Sequence, residues 1–227
     1  YTIINGDFKG NQYGNILPNI SISKNFSKTK SLKLSYNNRI LRPGIQNINP
    51  NILRNNNFST SEGNPELTPA NAKQLEMGYN QFGRKYQGSY NIYIKNTNDI
   101  IESYSRIIDG DEVKKYENIS ASTNYGFNYF GSLRFDKFNI RTGFNLYQYS
   151  GSGVIDGQPI SLTSSLLHSY NFGGSYNISD HWKAECWGFF RSPNQTIQGS
   201  STSFSMMSFG VKKEFKNKRG SLGIRII

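Results

Sequence analysis

The chain has 227 residues, of which 35% are hydrophobic, and carries a formal net charge of +11. With a mean hydropathy of −0.61 and no uncharged apolar run of roughly 18 to 20 residues, membrane-crossing helices are excluded, so any membrane reading must use strands. The single cysteine, Cys186, rules out an internal disulfide and a four-thiolate metal site, while 15 Tyr and 15 Phe argue against disorder.

Hydrophobic residues alternate with polar ones in segment after segment. Ile20 and Ile22, then Leu32, Leu34 and Tyr36, form a first pair of strands across a tight connection at Ser27 to Lys30. A long connection from Leu41 to Ala72 follows, and Leu75, Met77 and Tyr79 mark the third strand. A turn at Phe82 to Lys85 opens a long strand over Tyr86 to Arg106, in which Tyr90, Ile92 and Ile94 oppose Gln87, Ser89, Asn91 and Lys95. After a loop predicted at Ile107 to Glu112, Lys114 to Phe135 sets Tyr125, Phe127, Tyr129 and Leu133 against Asn124, Gly126, Asn128 and Arg134. Asp136 and Lys137 turn the chain into Phe138, Ile140, Thr142, Phe144 and Leu146, which face away from Asn139, Arg141, Gly143, Asn145 and Tyr147. A loop predicted at Gly151 to Thr163 leads to Leu166 through Ile178, where Tyr170, Phe172 and Tyr176 oppose Ser169, Asn171 and Ser175. Tight turns at Ser179 to His181 and Lys216 to Arg219, a long loop at Ser192 to Ser201, and Leu222, Ile224 and Ile226 complete the pattern. The periodicity predicts about ten strands and no helix.

Short and long connections alternate, as they do in a meander whose every second turn lies at the same end. Outer-membrane barrels have this asymmetry, with short periplasmic turns and longer extracellular loops. Strands over Tyr86 to Arg106 and Lys114 to Phe135 exceed the roughly 9 to 11 residues needed to cross hydrocarbon, so they are expected to project outward. The predicted fold is therefore all-β: a transmembrane antiparallel up-and-down β-barrel, with a soluble sandwich or binding module as the alternative. Tyr86, Tyr125, Phe135, Phe138, Tyr149, Tyr170, Trp182 and Phe215 are predicted to lie in its aromatic girdles or outer wall.

The most specific stretch lies between the second and third strands. Leu32 to Pro43 reads LKLSYNNRILRP, Asn47 to Pro50 reads NINP, Gly63 to Pro69 reads GNPELTP, and Ala72 to Tyr79 reads AKQLEMGY. Four prolines, Pro43, Pro50, Pro65 and Pro69, each remove a backbone donor and fix φ, which predicts a stiff surface loop. The combination resembles the C-terminal barrel half of TonB-dependent receptors, especially the outer-membrane barrel family abundant in Bacteroidetes. The positions that carry the likeness are Arg42, Pro43, Asn49, Pro50, Gly63, Asn64, Pro65, Leu67, Pro69, Glu76, Gly78 and Tyr79. Ala70 stands where the family usually has an acidic residue, and Met77 where Leu is commoner.

The resemblance implies a larger barrel of about 22 strands with a plug inside it. This chain is then expected to be a partial barrel domain over residues 1–227, with plug and final strands outside it, since Arg225, Ile226 and Ile227 stop in mid-strand. It further implies an outer-membrane receptor of a Gram-negative bacterium for TonB-dependent uptake of a nutrient or chelate. Its expected partners are outer-membrane lipid, the TonB complex through the plug, and a surface lipoprotein or larger membrane complex. A plugless passive channel, or the barrel anchor of a surface or secretion complex, is the alternative.

No enzymatic chemistry is expected. His168 and His181 lack acidic or thiol companions at metal-ligand spacing, no nucleophile with a base is visible, and Gly151-Ser152-Gly153 does not lead into a helix. Neither a metal nor any other cofactor is predicted. Lys and Arg are scattered over turns and strands, which disfavours nucleic acid as a partner. Lys95, Arg134, Arg141, Lys183 and Arg191 fall on the polar faces and are candidate lumen-lining residues. There they would line a path for anionic solutes or pair with carboxylates of a plug.

Overall fold

The computed structural model describes residues 2–4, 7–9, 14–155, 157–196, 199–215 and 219–227. The sequence-predicted turn at Lys216 to Arg219 lies largely outside them. Ten strands form one antiparallel path in strict chain order: β3 (Asn19–Ser27), β4 (Lys30–Leu41), β7 (Ala70–Phe82), β8 (Tyr86–Ile108), β9 (Asp111–Arg134), β10 (Phe138–Ile155), β11 (Gln158–Asn177), β12 (Trp182–Arg191), β15 (Phe204–Glu214) and β16 (Ser221–Ile226). The path is open, with β3 and β16 at its edges. Short pieces complete the chain: β1 (Thr2–Ile4) with β2 (Asp7–Lys9), β13 (Gln195–Thr196) with β14 (Gly199–Ser200), the one-turn α1 (Ile45–Ile48), and the hairpin of β5 (Leu53–Asn56) and β6 (Ser59–Ser61).

Strand register turns the alternation into two chemically distinct surfaces. One rung joins Ile22, Leu34, Met77, Ile92, Phe127 and Leu146 across six strands. The rung beside it, on the opposite face, joins Lys33, Gly78, Asn91, Asn128, Asn145, Ser169 and Arg191. Side chains on the apolar face are widely exposed, Ile22 at 70% and Ile224 at 75%. A soluble sheet would bury such a face; here none of the described residues folds over it, as suits a wall whose solvent is lipid. The ladder satisfies the backbone of every interior strand without water, the condition for crossing hydrocarbon.

Two predicted loops are instead strand. β8 and β9 run on to a two-residue turn at Asp109 and Gly110, with φ of 52° and 90°, and β10 and β11 pair as far as Ile155 with Gln158. Both hairpins have Asp-Gly at their tips in the sequence, and in the first the positive φ at both central residues gives a primed turn whose twist matches the strands it joins. The Ile107 to Glu112 and Gly151 to Thr163 loops are therefore continuations of the ladder. Tyr104 and Ile119 of the first extension are buried and pack against Ile155 and Ile160 of the second. The two projections thus share a small core.

Three further expectations are corrected. Tyr149 lies opposite Asn124 on the polar face, since period two from Phe144 puts odd-numbered residues of β10 there, and so it is no part of the outer wall. Pairing of β7 with β4 begins at Ala70, inside the connection expected to run to Ala72, because Leu41 still has Ala70 as its partner. The Leu41 to Ala72 connection holds α1 and the β5–β6 hairpin, and β6 adds in parallel to the tip of β9 through Ser59, Thr60 and Ser61. Tyr86, Tyr125, Phe138, Tyr170 and Trp182 do stand on the apolar face.

Candidate functional site

Two regions combine the residues singled out in the sequence: the proline-rich loop and the polar face beneath it. The loop is fixed by its own backbone. Gly63 N–H donates to Asn49 O at 2.9 Å and Asn64 N–H to Asn47 O at 2.7 Å, so the GNP segment lies against the NINP segment. A Cβ at Gly63 would sit 2.5 Å from Asn49 O and 2.6 Å from Asn49 N, and only glycine allows this approach. Asn64 Oδ1 accepts from Glu66 N–H at 2.9 Å, the Asx turn expected of Asn before Pro. Leu67 is then driven inward and is 1% exposed.

The far end of the loop docks on the strands. Asn118 of β9 accepts from Thr68 N–H through Oδ1 at 2.8 Å, and its Nδ2 donates to Thr68 O at 2.9 Å and Asp99 O at 2.7 Å. Asp99 has a φ of 55° where the β8–β9 register shifts, which presents its carbonyl to Asn118. Glu62 adds a 3.6 Å ion pair to Lys115, and Glu62 N–H donates to Lys114 O at 3.0 Å. Nothing in the sequence marked Asn118, because a single Asn in a polar-facing strand has no local signature.

The remaining motif positions are on β7. Glu76 accepts from Gln74 Nε2 at 2.8 Å on the polar face. Gly78 leaves space that the Asn91 side chain occupies, and Tyr79 packs on Tyr90 with centroids 6.2 Å apart on the apolar face. Arg42 and Pro43 lead out of β4 into the loop. The motif thus spans a loop and both faces of a strand, and gathers at no single ligand-sized point.

The polar face carries amides, phenols and cations. Tyr93 O–H donates to Asn145 Oδ1 at 3.2 Å, across β9, above Gly126, whose missing side chain gives the Tyr93 ring its place. Toward the short-turn end, Asn139, Arg141, Lys183, Glu185, Trp187 and Arg225 line a hollow of about 230 Å³. Glu185 accepts from Lys183 Nζ at 2.7 Å and faces Arg225 Nη2 at 3.7 Å, while Lys212 pairs with Glu214 at 3.2 Å. Of the five predicted cations, Arg141 and Lys183 meet at this hollow and Arg134 lies one strand from it, opposite Asn139. Lys95, opposite Gln74 and Asn124, and Arg191, opposite Ser169, occupy other rungs of the same face. Glu185 and Arg225 were missed by sequence reasoning, although the Lys183-x-Glu185 spacing on one strand face signals such a pair. Among the described residues no group of three or more His, Cys, Asp or Glu side chains is placed to hold a metal ion.

Comparison with known proteins agrees with the geometry. The copper transporter OprC superposes with a TM-score of 0.65 at 14% identity, over 91% of this chain and 32% of that one. The siderophore receptor PirA from Acinetobacter baumannii gives 0.60 at 15% identity, over 89% and 35%. A mutant of the ferric enterobactin receptor PfeA from Pseudomonas aeruginosa gives 0.60 at 12% identity, over 92% and 34%. The chain spans about a third of the length of each, and the likeness establishes the fold. No curated protein matches in sequence. The family model described as "Outer membrane protein beta-barrel family" matches residues 1–227, and with its two-faced antiparallel meander the chain belongs to that family of the Gram-negative outer membrane.

Proposed function

We propose that this chain is part of the barrel wall of a receptor that takes up a nutrient or chelate through TonB-dependent energy coupling. The observation that carries the reading is the superposition of about nine-tenths of the chain on a siderophore receptor, a ferric enterobactin receptor and a copper transporter. In this reading a plug outside residues 1–227 occupies the lumen and provides the TonB contact. Lys95, Arg134, Arg141, Lys183 and Arg191 would then face that plug or the solute passing it. The loop of Arg42, Pro43, Asn49, Pro50, Gly63, Asn64, Pro65, Leu67 and Pro69 would stiffen the extracellular mouth, and its hydrogen bonds support a structural role there. No catalytic step is assigned to any residue.

Genetics of uptake tests the proposal. Strains lacking the full-length protein or lacking TonB are compared on vitamins, glycans and metal chelates offered singly as limiting nutrient. Both deletions are expected to abolish growth on the same source. Growth that needs the protein but survives loss of TonB would establish a passive channel and overturn the reading.

A further inference from the structure

The apolar face of β12 departs from the rest of the wall. Where neighbouring strands present large side chains, it reads Trp182, Ala184, Cys186 and Gly188. Phe138 and Ile140 of β10 rise on one side of this strip, and Phe209 and Val211 of β15 on the other, forming an apolar groove of about 760 Å³. Gly174 of β11 widens the floor, since even a Cβ there would lie 3.0 Å from Cys186 Sγ. Above it the Phe172 ring lies across Gly188. Below it on the same face Trp182 pairs with Lys213, whose Nζ sits over the indole 5.1 Å from the ring centroid.

We propose that this groove is a specific site for one phospholipid, with an acyl chain along Ala184 and Cys186 and its phosphate at Lys213. The inference rests on membership of the outer-membrane family, and is independent of what the barrel transports. Three features commit the groove to this occupant. It lies on the face that meets lipid, where a trough left empty would forfeit the packing that its walls provide elsewhere. Its flanks differ, with Phe172 and Met207 beyond one end and the basic Lys213 beyond the other, matching the polarity of a lipid. The Lys213 end holds a cation with no carboxylate partner among the described residues, beside a Trp of the kind that sits at headgroup level. The basic residue supplies the charge complementarity for phosphate and the aromatic ring fixes its depth. Short turns at this end place the headgroup in the inner leaflet.

Native mass spectrometry of the full-length protein, released from detergent and titrated with phosphatidylglycerol, tests the site. One adduct is expected to survive the collisional activation that strips surrounding lipid. Ala184→Phe, which fills the floor, should remove that adduct. Lys213→Ala should weaken phosphatidylglycerol binding about fivefold, the worth of one basic residue at an anionic lipid surface, and leave diacylglycerol binding unchanged. Heat-modifiable migration on gels checks that each variant is folded, and Cys186→Leu replaces Ala184→Phe if that chain fails to fold. The proposal is overturned if no adduct persists in the parent protein, if the filled variant retains it, or if Lys213→Ala weakens both lipids equally.

Discussion

Asn118 and Thr68 are joined as two paired strands would be, although Thr68 belongs to a loop 50 residues earlier in the chain. The Asn118 amide accepts from the Thr68 N–H at 2.8 Å and donates to the Thr68 carbonyl at 2.9 Å, so one side chain satisfies both backbone groups of a residue between two prolines' reach. Its remaining donor holds Asp99 O at 2.7 Å, which ties the loop to the bulge in β8.

Asn118→Ala should accordingly free the loop without unfolding the wall. Each unmade bond costs about 1 kcal/mol, and a polar group left buried costs about 1 to 3. Hydrogen exchange at residues 62–70 should accelerate, while β7 and β10 exchange as before. Unchanged exchange at those loop residues would show that Pro65 and Pro69 hold the loop unaided.

Gly63→Ala is expected to be the more severe loop substitution, because the added methyl would collide with the Asn49 backbone rather than with a movable side chain. Gly44→Ala is the control, as its nearest neighbour would be the Asn47 side chain at 3.9 Å. Protease added to intact cells should cut the Gly63 variant within residues 44–64 and spare the control.

Phe144 and Asn128 test the two faces at equal depth. Phe144 is opposite Tyr129, next to Asn128 along β9, but points to the apolar side. Phe144→Arg should destabilise the barrel by about 2 to 4 kcal/mol, the cost of an arginine on a lipid-facing position near the membrane centre. Asn128→Arg should cost far less, and equal losses in urea-induced unfolding would reverse the assignment of the faces.

The tip of the first projection should respond to acid. Hydrogen bonds from Ser105 and Ser59 hold the Glu112 carboxyl below its ordinary value, and Glu112 N–H donates to Phe58 O at 2.8 Å. A lowered folded-state pKa means that the stabilisation is present above the ordinary carboxylate range and is lost as pH falls through the lowered value. Exchange at residues 53–61 should therefore rise on acidification, and Glu112→Gln should remove most of that dependence.

The sequence by itself determined which residues share a face. Side chains alternate with period two along any strand, so Tyr90, Ile92 and Ile94, or Phe144 and Leu146, were assigned before any neighbour was known. Family membership was equally legible, since four prolines and the GNP turn form a local pattern. Loop length is not legible where Asp-Gly allows a two-residue turn, and Tyr149, although aromatic, follows the parity of its strand onto the polar face. Only the tertiary structure decided what depends on register between distant segments. It brought Asn118 to Thr68, Arg225 to Glu185, and Phe138 and Phe209 to the two sides of Ala184 and Cys186. A strand's own sequence fixes its faces, whereas the height at which it meets its neighbours is set by the turns and bulges between them.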